Sequence, residues 1–293
     1  MTEAAVPVAP QQRDLRAEAP VALRPRLETT WAVLCGALAS GALTPAAPAI
    51  VRLLAGWLLA DIILGFALTQ LLMTVRVAAE LGPPPHVASR RGPRIPYAEP
   101  GSPGDRLAMA TARWLDHWHA RLGPAIGHHV ASCVTASATA LLVGAYLGRP
   151  ALVACSITIG AAGALALICA RQPDALARWY AGIALAVAWY LGHRLFAGVS
   201  PASGGVAAMV GLAAFGRVAH AHERAAGGRR LVGLVWSILI GTMLLARQPI
   251  AAGIAAIAGL AESMSRGLGA WRPARVGWLA AMLLAALIVA RAV

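Results

Sequence analysis

Apolar runs recur along the whole chain, and what separates them is arginine, proline and glycine. A segment of this kind can be buried in a protein core or in lipid. The 293 residues are 59% apolar and 13% charged, too few charges to cover one large soluble core, and the mean hydropathy is clearly positive. The pattern predicts an all-α chain, a polytopic bundle of membrane-crossing helices.

Nine crossings are predicted. The first five are Thr30–Leu43, Ile50–Val75, Val130–Leu147, Ala151–Ala170 and Trp179–Phe196. Gly204–Gly216, Leu231–Ala246, Ile250–Ala261 and Val276–Ala290 follow, the sixth and eighth being the shortest. All 25 basic residues are arginine. With the N-terminus inside, twenty of them fall in inside segments and five (Arg52, Arg149, Arg194, Arg247, Arg291) outside, alternating loop by loop. The positive-inside rule then puts the N-terminus in the cytoplasm and the C-terminus outside a bacterial cytoplasmic membrane. Scattered between apolar runs, the arginines mark orientation and not a nucleic-acid surface. Residues 1–26 read as a disordered cytoplasmic tail, and 27–293 as a single transmembrane domain.

The longest inside loop, 76–129, holds the turn-forming stretches GPPPH and RRGPRIPYAEPGSPGD. After them, Asp105–Leu122 places Leu107, Trp114, Leu115, Trp118 and Leu122 on one helical face, with Asp105, Arg113 and Asp116 opposite. This predicts an amphipathic helix that lies in the membrane interface or caps the bundle. The cysteines, Cys35, Cys133, Cys155 and Cys169, all sit in apolar runs without ligand spacing and read as packing residues.

The stretch AHAHERAAGGRR, Ala219–Arg230, carries a resemblance. His222-Glu223-Arg224-Ala225-Ala226-Gly227-Gly228-Arg229-Arg230-Leu231 is similar to the loop after span six of the UbiA-type intramembrane prenyltransferases. Arg24-Pro25-Arg26 resembles the start of that family, and Pro96-Tyr97 with Gly101-Ser102-Pro103 resembles its loop after span two. The resemblance implies a UbiA-like fold, a polyprenyl diphosphate or other long-chain lipid as ligand, and Mg²⁺ if the chain is active. It implies transfer of a prenyl group to an aromatic or tetrapyrrole acceptor, with Glu223, Arg224 and Arg230 facing the diphosphate and Glu80 in the first motif. The chain departs from the family where the metal binds: Thr69–Glu80 contains no aspartate, and Ala219 stands four residues before Glu223. Mg²⁺ demands hard oxygen ligands. The second expectation is therefore a non-catalytic membrane subunit that binds a quinone, carotenoid or chlorophyll-type ligand, or a membrane-protein partner.

The other polar candidates come from the residues themselves. Asp61 sits mid-span, where a carboxylate is costly and marks a functional position or a helix–helix contact, or the carrier site of a small transporter. Gln70 reads as a head-group contact or an interhelical hydrogen bond. The close pairs His117/His119, His128/His129 and His220/His222 are weak candidates for metal or pigment ligation, His220 and His222 foremost, because i, i+2 neighbours do not converge on a helix.

Overall fold

The computed structural model describes residues 27–82, 101–198, 201–223, 226–245, 252–253, 255–257, 259–260 and 271–292; the side chains of 219–223, 226–229, 231, 232, 242, 271–276 and 292 are not described. The predicted tail and the turn-rich stretch 83–100 lie outside these residues.

All elements among the described residues are helical. In chain order they are α1 (Leu27–Ala39), α2 (Ala47–Trp57), a π-helical segment π1 (Leu58–Leu64), α3 (Gly65–Leu81), α4 (Pro103–His117), π2 (Trp118–Leu122), α5 (Gly123–Leu147), α6 (Arg149–Ile168), α7 (Pro173–Arg194), α8 (Pro201–Glu223), α9 (Ala226–Leu245) and α10 (Trp271–Ala292). Four helices are long and apolar enough to cross a membrane: Ala47–Leu81, Pro103–Leu147, Arg149–Ile168 and Pro201–Val218. The shortest predicted crossing, 204–216, thus belongs to a helix of ample length. Of the predicted eighth crossing, the residues described between 252 and 260 are helical.

Local chemistry explains the boundaries. The chain leaves α1 at Gly41, whose φ of 66° suits glycine, while the Ser40 hydroxyl donates to the Ala37 carbonyl at 2.6 Å. Gly148, at φ 112°, turns α5 into α6 within one residue. The Ser102 hydroxyl caps α4 by accepting from the Asp105 N–H at 3.2 Å.

The predicted loop 76–129 is mostly helix. Α3 runs on to Leu81, and the amphipathic segment is no separate element: α4, π2 and α5 form one rod, Pro103–Leu147. Pro124 offers no N–H and crowds the carbonyl four residues back, and the wide π turn immediately before it absorbs the mismatch without breaking the rod. The predicted apolar stripe does lie on one side, with Leu107, Trp114 and Leu115 exposed and the Trp114 and Trp118 rings stacked at 5.6 Å.

Helix α7 is the hub. It packs on α1, α8, α6, α3, α2 and π1. Between membrane helices, close packing of small residues must replace much of the hydrophobic drive available in water. A Cβ on Gly36 of α1 would overlap the Trp189 carbonyl oxygen of α7, and one on Gly192 would overlap the Val33 carbonyl oxygen of α1. Gly182 and Gly211 meet in the same way where α7 crosses α8. Trp189, Leu176, Leu191 and Cys35 are fully buried around these crossings.

Side-chain contacts fix the relative directions. Trp179 meets Phe215 at 4.8 Å and Gly182 meets Gly211, so α7 and α8 are antiparallel. The Trp31 indole donates to the Leu279 carbonyl at 2.8 Å and Gly41 lies beside Ala290, so α1 and α10 are parallel. Arg76 pairs with Asp174 at 3.3 Å and Arg217 with Glu28 at 3.4 Å. The ends that the arginine pattern assigns to one side therefore share one face of the bundle. On that side of α7 the Tyr180 hydroxyl donates to the Ala162 carbonyl of α6 at 2.9 Å, beside buried Leu72, Val75 and Leu176. Tyr180→Phe is expected to cost about 1 kcal/mol, read from the denaturation midpoint of the purified protein in detergent; an unshifted midpoint would show that this bond contributes nothing.

Candidate functional site: a groove beside a buried aspartate

Two long rods, Ala47–Leu81 and Pro103–Leu147, lie against one another. Each is interrupted by a π-helical stretch, and such insertions recur at functional positions because they re-aim side chains without ending the helix. Asp61 sits at the centre of π1 and is buried, 6% exposed, on a helix otherwise apolar around it. Its neighbours Ile62 and Ile63, with Phe66 one turn on, form one wall of an open groove of about 430 Å³. Ala131, Ser132, Thr135, Ala136 and Thr139 of α5 form the other. The volume falls within the roughly 300–1,000 Å³ typical of small-molecule sites.

The groove has a polar end. Gln70, on the same stripe as Ile62 and Phe66, bonds His129 of α5, with Nδ1 2.7 Å from Oε1. The ring of His128 lies against that of His129, centroids 3.7 Å apart, and His128 is exposed. Residues 128, 132, 135 and 139 are spaced i, i+4, i+7 and i+11, so the histidine heads the hydroxyl stripe on one face of α5. At 1.5 Å per residue the run from His129 to Thr139 is about 15 Å long.

The remaining sequence-predicted residues do not join this groove. Glu80 is exposed in the last turn of α3. It lies nineteen residues from Asp61 on the same rod, a separation of about 28 Å at helical rise, so the two carboxylates do not share a centre. Arg230 is exposed on α9. His220, His222 and Glu223 occupy the last turns of α8 and Arg224 follows; His220, His222 and Glu223 are described by their backbone alone, and Arg224 lies outside the described residues. Helix α3 packs on α5, α6 and α7, whereas α8 packs on α7, α9 and α10, so the hub helix stands between the two segments that would carry the family's metal motifs. Among the described residues no three His, Cys, Asp or Glu side chains gather to hold a metal ion. The carboxylate set that Mg²⁺ requires is thus not assembled on α3, and no step is derived through that ion.

Sequence reasoning passed over the partnership of Gln70 with His129 and the stripe Ser132–Thr135–Thr139, although its i, i+3, i+7 spacing was available. It also passed over the ion pair of Glu28 with Arg217, whose guanidinium lies 5.5 Å from the centroid of the Trp278 ring.

Comparison of the chain with protein-family models, curated proteins and solved structures finds no match.

Proposed function

We propose that this chain is a polytopic protein of a bacterial cytoplasmic membrane that binds a polyprenyl or similar long-chain lipid in the groove between the two rods. The reading keeps a UbiA-like bundle of about nine crossings, N-terminus inside and C-terminus outside; the alternating helix directions and the shared face of Arg76, Asp174 and Arg217 support it. The observation that carries it is the groove itself: apolar along Ile62, Ile63 and Phe66, hydroxylated along Ser132, Thr135 and Thr139, and polar at one end only. An amphiphile has the same distribution.

Whether a prenyl group is transferred to an aromatic or tetrapyrrole acceptor is a separate matter. That chemistry would draw on Glu223, Arg224 and Arg230 and on Mg²⁺. The exposure of Glu80 and the position of α7 between α3 and α8 favour the second reading, a non-catalytic subunit holding a quinone, carotenoid or chlorophyll-type ligand, or a membrane-protein partner.

The full chain in nanodiscs, titrated with a photoreactive isoprenoid, is expected to crosslink at α3 and α5. Thr135→Trp, which fills the groove from an exposed position, should weaken binding at least tenfold; crosslinks elsewhere, or unchanged affinity, would refute the site. Binding of a prenyl diphosphate that requires Mg²⁺ and falls in Glu223→Ala would instead favour the transferase.

A further inference from the structure

The hydrogen-bond directions along the groove constrain what its occupant carries as a head. The Thr135 hydroxyl donates to the Ala131 carbonyl and the Thr139 hydroxyl to the Thr135 carbonyl, both at 2.9 Å. A hydroxyl that has spent its hydrogen on its own helix turns lone pairs outward. At the polar end, the Gln70 oxygen only accepts, so His129 donates from Nδ1. A neutral imidazole with Nδ1 protonated has a lone pair at Nε2. The groove therefore offers acceptors on its hydroxyl wall and at its head.

It offers no fixed cation. None of the lining residues is basic, and Arg76, two turns beyond Gln70 on α3, is engaged by Asp174. Two imidazoles in ring contact oppose each other's protonation. A head group carrying several negative charges would meet lone pairs and gain no compensating ion pair. A carbonyl head would meet the same lone pairs with nothing to donate.

We infer that the groove receives a long-chain lipid with an uncharged hydroxyl head, an isoprenoid alcohol or a quinol, whose O–H donates to His129 Nε2 or to the Thr135 and Thr139 oxygens. This rests on the groove being the lipid site, and it narrows the ligand to a hydrogen-bond donor. The apolar tail lies along Ile62, Ile63 and Phe66, with the head toward the charged face of the bundle. Gln70 acts as a positioning residue, fixing the tautomer of the ring.

The test uses the full chain in nanodiscs with four ligands: farnesol, farnesyl diphosphate, and a short-chain quinol with its oxidised quinone. Farnesol and the quinol are expected to bind at least tenfold more tightly than farnesyl diphosphate and the quinone, and the tighter of the first two identifies the source of the hydroxyl. Thr135→Val, nearly isosteric and exposed, should cut the preference for quinol over quinone at least threefold while leaving quinone affinity unchanged. Gln70→Leu, which frees the tautomer, should do the same. Equal affinity for all four ligands, each abolished by Thr135→Trp, would overturn the head-group assignment and leave the groove standing. Tighter binding of the diphosphate or the quinone would overturn it outright. Failure of every ligand to bind would remove the groove as a lipid site, and the assignment with it.

Discussion

Gly36→Leu is expected to abolish the folded state. Helices α1 and α7 meet backbone to backbone, and any Cβ at position 36 overlaps the Trp189 carbonyl oxygen. No rotamer change relieves that, because the atom in the way belongs to the main chain. The crossing would have to open around Trp189, which is fully buried. Overpacking by a side chain costs about 1–3 kcal/mol in a core that can adjust. Here two helices must separate, so the expected loss exceeds about 3 kcal/mol, a large share of the stability of an ordinary domain. Gly192→Val should behave alike, since its Cβ overlaps the Val33 carbonyl oxygen from the opposite side. Gly204→Ala is the control: a Cβ there meets nothing within 4 Å, and alanine favours the helix. The measurement is the fraction of monodisperse protein in detergent and its thermal midpoint. Equal behaviour of Gly36→Leu and Gly204→Ala would mean that the α1–α7 crossing is looser than described.

Arg217→Ala has the second largest expected effect. Arg217 ties three helices, pairing with Glu28 of α1 at 3.4 Å and lying over the Trp278 ring of α10 from its own place on α8. Its side chain is 17% exposed and that of Glu28 23%, so the pair sits between the surface case, worth about 0–1 kcal/mol, and the buried case, where losing one partner costs about 3–5 kcal/mol. An intermediate loss of about 2 kcal/mol is expected. Arg217→Lys keeps the charge and gives up the planar stacking, so it should recover only part of the loss. A double-mutant cycle with Glu28→Gln isolates the pair. A coupling energy indistinguishable from zero would show that Arg217 contributes through packing alone.

Much of the fold could be read from the residues because the signals are local. Gly41 and Gly148 end helices where a positive φ is needed, and the arginine alternation anticipated helix directions that later appeared as contacts between Trp179 and Phe215 or Arg76 and Asp174. The stripe Leu107–Trp114–Leu115 was visible for the same reason. The π-helical turns were not, since one widened turn shifts the phase without altering composition. Pro124 suggested a helix start at the third span, whereas π2 carries the helix through. Gln70 and His129 lie too far apart in sequence for any periodicity to pair them. Nor could hydropathy reveal that α7 stands between α3 and α8, because it registers that a segment is apolar and not which neighbours it chooses.

The brevity of α1 has a consequence for biogenesis. Thirteen residues span about 20 Å, short of a hydrocarbon core of about 30 Å. Its principal seat, the glycine-notched side of α7, is synthesised more than a hundred residues later, and α10 later still. At the pace of translation that interval is on the order of ten seconds. Until α7 emerges, the leading segment must be sheltered by the insertion machinery, which makes nascent chains stalled before residue 194 natural substrates for membrane proteases.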